Sequence, residues 1–406
     1  MNKILKIDKT IITCIVVHFF FVIEPLMIIP LSTSILFDLH VSYSKAGLIL
    51  ALYTIGACIG SLVCNITANE RIERQKIILF LVLSSTCLLI TSFTEQFYIF
   101  LIMRLLSGLF GGLLSVTNLN YLIRCSRPNQ IKRNVAWVLS TFPLALAIGV
   151  PFCLTVNSHL GWPSCFMFLA MFLCILSVLF PQSTPEIVSN KASPESKDCH
   201  LKIPLEKNSI TFISAILTLA TAVFGTFLIA TQFPVMLMIN FAMSNQALSG
   251  YYLISGVGAF IAMNIYAKLS FERKRVSVVI FLLTISMIIL SCIGFKTSIS
   301  NIAGYCFVIF IISSSSRTLI INTELIAGLT AEQRAKFTKV QSTIQNSAIS
   351  AAGLVSTLLC KETTLDGFNY DPLVFVASLV MVSTPFIWLI FCLKSDRKEK
   401  SIHEYG

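Results

Sequence analysis

This 406-residue chain is short of charge: Lys, Arg, Asp and Glu make up 12 % of it, against about 25 % in a soluble domain. With 55 % hydrophobic residues, that deficit excludes an ordinary soluble enzyme. Acids are the scarcer sign, 19 Asp and Glu against 30 Lys and Arg. The 13 cysteines include no Cys-x-x-Cys pair and lie mostly in apolar segments. They read as reduced packing residues rather than a disulfide frame or metal site. There is no His-Glu-x-x-His, no Gly-x-Ser-x-Gly, and no carboxylate pair within the apolar runs, which argues against an intramembrane enzyme. A phosphate-binding Gly-x-x-x-x-Gly-Lys loop is missing as well, so ATP use has no support, and no cofactor is expected. The first apolar run follows Lys3, Lys6 and Lys9 but continues too long for a signal peptide and lacks a small-residue cleavage site, so it is expected to stay as a helix.

What the chain does have is long apolar stretches. They fall at about 10–36, 44–67, 77–94, 97–122, 134–157, 163–181, 209–238, 246–267, 276–295, 300–325, 338–360 and 372–393, each near the ~20 residues that cross a bilayer as a helix. The expected fold is an all-α integral membrane protein of twelve transmembrane helices in two six-helix halves. The longest polar interruption separates an N-terminal half (1–181) from a C-terminal half (209–394). The stretch between them (182–208) is expected to be a cytoplasmic linker, and residues 395–406 a cytoplasmic tail. With the N-terminus inside, 25 of the 30 Lys and Arg fall on the inner side, and three (Lys45, Lys296 and Lys361) on the outer side. Such a bias places both termini in the cytoplasm and assigns the net charge of +11 to membrane topology, with no nucleic acid as partner.

An internal repeat supports the division. Ile72-Glu73-Arg74-Gln75-Lys76-Ile77 follows the second run, and Phe271-Glu272-Arg273-Lys274-Arg275-Val276 follows the eighth. Two related halves, with a site near mid-membrane between them, are a common build of secondary transporters.

Few charges lie within the runs. Arg104 sits inside Phe97–Leu122, where a guanidinium costs at least about 2.5–3.5 kcal/mol and should face protein or a polar cavity. Gly108 and Gly112 follow on the same face, a smooth track suited to a helix lining a moving cavity. Glu24 lies roughly 22 Å along a helix from Lys9. There it can exchange a proton, meet a cationic substrate, or serve as a structural partner beside Pro25. Arg317 is either functional or structurally paired: the four serines before it can solvate a guanidinium or line a polar cavity, and Glu324, two turns on, can pair with it. Tyr53, Asn118 and Gln232 are polar residues expected to line a cavity or tie helices together.

An ordered set of segments resembles the major facilitator superfamily, and within it the drug:proton antiporter branch of sugar, arabinose, purine and chloramphenicol exporters. Phe37-Asp38-Leu39-His40-Val41-Ser42, then Ala46-Gly47 and Tyr53-Thr54-Ile55-Gly56, are similar to the first outer loop and second helix of those exporters. Arg104-Leu105-Leu106-Ser107-Gly108 is similar to their fourth-helix motif, whose arginine is tied to proton coupling. Gly149-Val150-Pro151, followed by Leu160-Gly161-Trp162, resembles the fifth-helix motif and the turn after it, and Phe224-Gly225 through Phe233-Pro234 the seventh helix. The loop after the second helix departs from the family's Gly-x-x-x-Asp-Arg-x-Gly-Arg-Arg: Ile66 and Glu73 replace glycines and Glu70 replaces the Asp. Glu70, Arg71 and Arg74 keep the charges of a cytoplasmic latch. Phe152 and Cys153 stand where the fifth-helix motif expects a glycine.

The resemblance implies a secondary transporter of the bacterial cytoplasmic (inner) membrane, working by alternating access. Its expected partners are a small organic solute, protons and the lipid bilayer, with the chain a monomer. Glu24, Arg104 and Arg317 are the residues expected to couple protons or bind substrate. An inward symporter or uniporter of the same build, or a non-transporting membrane sensor, are the alternatives.

Overall fold

In hydrocarbon a backbone must satisfy its own hydrogen bonds, so long apolar runs can only form helices or a closed barrel. The computed structural model is almost wholly helical and describes residues 2–65, 69–127, 130–183, 209–268, 273–329, 331–362 and 368–404. The N-terminal half holds α1 (Asn2–Asp38), α2 (Ala46–Val63), α3 (Glu70–Ser92) and α4 (Phe97–Cys125). Its fifth crossing is broken into α5 (Ile131–Leu139), α6 (Thr141–Leu144), a π-turn (Ala145–Gly149) and α7 (Val150–Leu160), and α8 (Trp162–Ser183) completes it. The C-terminal half has a seventh crossing built from α9 (Ser209–Ala230) and α10 (Phe233–Ile239). It continues with α11 (Asn245–Lys268), α12 (Arg273–Lys296), α13 (Ser300–Gly328), α14 (Ala331–Leu359) and α15 (Asp371–Glu404). Strands β1 (Lys361–Glu362) and β2 (Phe368–Asn369) pair antiparallel between α14 and α15.

Eleven crossings among the described residues are long and apolar enough to span a membrane. The exception, α14, is long enough, but it carries Gln341, Ser342, Thr343, Gln345, Asn346, Ser347 and Ser350 along its length. Most of the linker expected at 182–208, and the Phe271-Glu272 member of the repeat, lie outside the described residues. The segment expected as a tail is helical as far as Glu404, continuing α15.

Two crossings break where local chemistry weakens the helix. Pro143 and Pro151 bracket the π-turn, and proline cannot donate to the carbonyl a turn before it. The opening between α9 and α10 falls at Thr231 and Gln232, just before Pro234.

Within the N-terminal half, α2 lies directly on α4. A β-carbon on Gly108 would collide with the Tyr53 carbonyl, and one on Gly112 with that of Ala57. In return, Gly56 and Gly60 press on the carbonyls of Leu105 and Leu109. Four glycines one turn apart thus bring two backbones into contact. The track on α4 is therefore spent on a seam with α2 inside one half, not on a moving cavity wall.

Two seams join the halves. Along one, α2 packs against α14: Cys58 Sγ lies 3.2 Å from Ser347 Oγ and Ser61 Oγ 3.0 Å from Thr343 Oγ1. In the other, α7 and the π-turn pack against α11. At the end of the bundle opposite the termini, α1 also meets α10, where Thr33 Oγ1 donates to the Met238 sulfur at 3.1 Å.

Candidate functional site

The polar centre of the N-terminal half forms where α1, α2, α4 and α8 converge. Glu24 is 2 % exposed and Arg104 0 %, so neither charge is solvated by water and each needs a protein partner. They find one another: Arg104 Nη1 donates to Glu24 Oε1 at 3.0 Å. The same oxygen accepts a hydrogen bond from Ser107 Oγ at 2.6 Å. Charge-assisted bonds of this kind are shorter and stronger than neutral ones. Ser107 follows Arg104 by one helical turn, which puts both side chains on one face of α4.

Aromatic rings enclose the guanidinium. Its Cζ lies 4.7 Å from the Tyr53 ring centroid and 5.7 Å from that of Phe166, positions where the ring quadrupole attracts a cation. The glycine seam sets this geometry, since Gly108 lets α4 approach the backbone of Tyr53 itself. Arg104 Nε and Nη2 and the Tyr53 hydroxyl have no hydrogen-bond partner among the described residues. The centre thus contains one acid, one base and unused donors, sealed within a helix bundle.

Gly149 sits beside this centre, and Pro151 follows it on the same crossing. A β-carbon on Gly149 would meet the Ile23 side chain, next to Glu24. The Pro151 carbonyl accepts a hydrogen bond from Ser249 Oγ of α11 at 3.4 Å. Gly256 of α11 lies against the backbone of Ala147, with no room for a β-carbon. The fifth-helix motif thus touches α1 on one side and the other half of the molecule on the other.

Arg317 lies elsewhere. Its Nη2 donates to the Ala222 carbonyl at 2.9 Å and to Thr226 Oγ1 at 3.0 Å, and its Nη1 to Thr284 Oγ1 at 3.3 Å. The expected pairing with Glu324 does not form; that carboxylate accepts from the Tyr266 hydroxyl at 2.7 Å. Nor do the preceding serines solvate the guanidinium: Ser314 and Ser316 donate to carbonyls of their own helix. Arg317 is held by α9 and α12, without a carboxylate among its described partners.

Of the three polar residues expected to line a cavity or tie helices together, two make buried bonds between helices. Asn118 Nδ2 donates to the Cys14 carbonyl at 2.8 Å, joining α4 to α1. Gln232 Nε2 donates to Ser356 Oγ at 3.3 Å, joining the α9–α10 opening to α14. Tyr53 is buried too, with its ring over Arg104.

Near the loop after α2, Asn69 caps α3 by accepting from the Arg71 amide at 2.9 Å. Arg71 and Arg74 lie in the first turns of α3, while the Glu70 side chain lies outside the described residues. The buried acid here is Glu73, one of the positions where the family pattern has glycine. It meets Lys76 Nζ at 3.3 Å, and that amine also donates to the Asn65 carbonyl at 2.7 Å. This pair holds α3 to the end of α2. Its i, i+3 spacing was visible in the sequence, but its burial was not.

Comparison with known proteins agrees with this architecture. The sequence profile of the Major Facilitator Superfamily matches residues 12–354. A relative from Mannheimia succiniciproducens, described as "Probable sugar efflux transporter", is 22 % identical over 352 residues, 86 % of this chain and 84 % of that protein. Two crystal structures of a bacterial homologue of the human lysosomal transporter Spinster share the fold. The inward-facing unoccupied form has a TM-score of 0.65 at 14 % identity, covering 96 % of this chain and 97 % of that one. The inward-facing occupied form has a TM-score of 0.63 at 14 % identity, covering 96 % of each. A non-enzymatic membrane transporter is what the profile, the fold and the helical architecture describe together, and the chain belongs to the Major Facilitator Superfamily.

Proposed function

We propose that the protein is a proton-coupled exporter of a small organic solute, with Glu24 as the proton-carrying group and Arg104 as its switchable partner. The buried Glu24–Arg104–Ser107 contact under Tyr53 carries this reading. An ionised Glu24 is stable there because Arg104 faces it. A proton on Glu24 cancels that attraction and leaves a buried cation with a ring and unused donors, an arrangement costly enough to drive rearrangement. Gly149 lies against α1 beside Glu24, and Pro151 against α11. A shift at the acid would thus reach the seam between the halves and bias their rocking.

The description of the Mannheimia relative supports the outward direction and a sugar-like cargo. The strong Lys and Arg asymmetry supports cytoplasmic termini, and we assign the protein to a bacterial inner membrane as a monomer of two rocking halves, 1–181 and 209–394. Arg71 and Arg74, with Glu70, remain our assignment for a charge latch at the cytoplasmic end. We read Arg317 as a structural clamp, since its partners are a carbonyl and two hydroxyls. The altered fifth-helix motif, with Phe152 and Cys153 after Pro151, favours a second reading: inward transport by the same machinery.

Vesicles holding the reconstituted protein and a pH-sensitive dye test the coupling. A panel of sugars, nucleosides, amino acids and drugs should include one solute that drives proton movement, and Glu24→Gln should abolish it. Equal solute transport by Glu24→Gln, with and without a pH gradient, would end the proton assignment. The sign of the proton movement separates export from uptake.

A further inference from the structure

An open polar cavity of about 390 Å³ lies roughly three to four turns of α1 beyond Glu24, at the end opposite the termini. Ser34, Phe37 and Asp38 come from α1, Asn157 and Ser158 from α7, and Asn245 from α11. Both halves therefore build it.

The polar groups are held in place before any ligand arrives. Asn157 Nδ2 donates to Ser34 Oγ at 2.9 Å, and Trp162 Nε1 donates to Asp38 Oδ2 at 2.8 Å. The left-handed turn at Gly161 (φ +79°) sets α7 and Trp162 at this angle. Asn245 contributes an amide whose buried Oδ1 has no donor among the described residues, and a buried acceptor left unpaired is expensive. Phe37, at 68 % exposed, adds an aromatic face. Asp38 is the one formally charged residue in the lining, and one of its oxygens is already engaged by Trp162.

We propose that this cavity binds a neutral polyhydroxylated solute, and that its occupant favours the state in which the halves meet at this end. Amides, hydroxyls and one carboxylate offer both donors and acceptors to a ring of hydroxyl groups. The aromatic face suits the apolar C–H surface of such a ring, and a cavity of this size lies at the small end of ligand sites. A lining without Lys or Arg gives an anion no counter-charge. Because residues of both halves hold the ligand, it binds the joined arrangement better than a parted one and shifts the population toward it. The site is independent of whether Glu24 carries protons.

Trp162 is a built-in reporter, one of three tryptophans. In the full chain carrying Trp137→Phe and Trp388→Phe, purified in detergent, Trp162 emission is followed during titration with glucose, sucrose and sorbitol. Choline and glucose 6-phosphate serve as cationic and anionic comparators. A saturable change with at least one neutral compound, and none with the charged pair, is expected. Asn245→Leu should weaken that binding about tenfold, the scale of one lost buried hydrogen bond, and Ser158→Tyr should block it. Calorimetry on the chain with all three tryptophans gives the same comparisons without the tryptophan substitutions. Tighter binding of choline or glucose 6-phosphate would overturn the ligand class. Absence of saturable binding by the neutral compounds in both measurements, or binding unaffected by Asn245→Leu and Ser158→Tyr, would overturn the site.

Discussion

Glu24 and Arg104 stabilise one another because each would otherwise be an unpaired charge in a sealed interior. Removing one partner of a buried pair typically costs about 3–5 kcal/mol, while removing both costs much less. Glu24→Gln and Arg104→Gln should each lower the thermal unfolding temperature, and the double variant should recover part of the loss. Simple additivity in that cycle would show that the two are not a unit. Arg317 should behave differently, because no carboxylate is orphaned when it goes: Arg317→Met should unfold within a few degrees of the unmodified protein. A large drop in that measurement would expose a partner charge. Both arginines and Glu24 were legible as residues, since a charge stands out in an apolar run. Their partners were not. Eighty positions separate Glu24 from Arg104, and nothing local distinguishes Arg104, which meets an acid, from Arg317, which does not. Ser107 lies within the fourth-helix motif, but its bond to Glu24 was not legible, because a serine in a helix has no distinctive pattern beyond its one-turn spacing from Arg104.

At the scale of elements, the glycine seam between α2 and α4 has no spare volume. A valine at Gly108 would have to displace the backbone of Tyr53, and overpacking of this kind costs roughly 1–3 kcal/mol or more. Gly108→Val should therefore give less folded protein by size-exclusion chromatography and a lower unfolding temperature. An unchanged profile would mean that the helices part easily. Crossing positions were readable to within a few residues because hydropathy and length determine them. Which helix the glycines faced was not, since spacing marks a smooth face and says nothing of what covers it. The breaks in the fifth and seventh crossings also escaped notice: Pro143, Pro151 and Pro234 signal weakened helix, but only neighbouring helices decide whether it opens.

Over the whole molecule, alternating access requires the contacts between the halves to change. Cys58 and Ser347 face each other across the α2–α14 seam, so Ser347→Cys, with Cys58 kept and the other cysteines replaced, should form a disulfide under mild oxidant. Transport should then stop and return on reduction. Continued transport by the cross-linked protein would show that this seam stays fixed while others move. The two-half plan was legible from the repeated basic clusters. The seams themselves arise from pairings between 98 and 289 residues apart and left no local trace. The polarity of α14 bears on how the protein is made as well as on how it works. A helix so rich in amides and hydroxyls partitions poorly into lipid by itself, and it packs mainly on α2 and α9, both synthesised earlier. During biogenesis those helices must already be in the membrane to receive it, so assembly of the second half depends on the first.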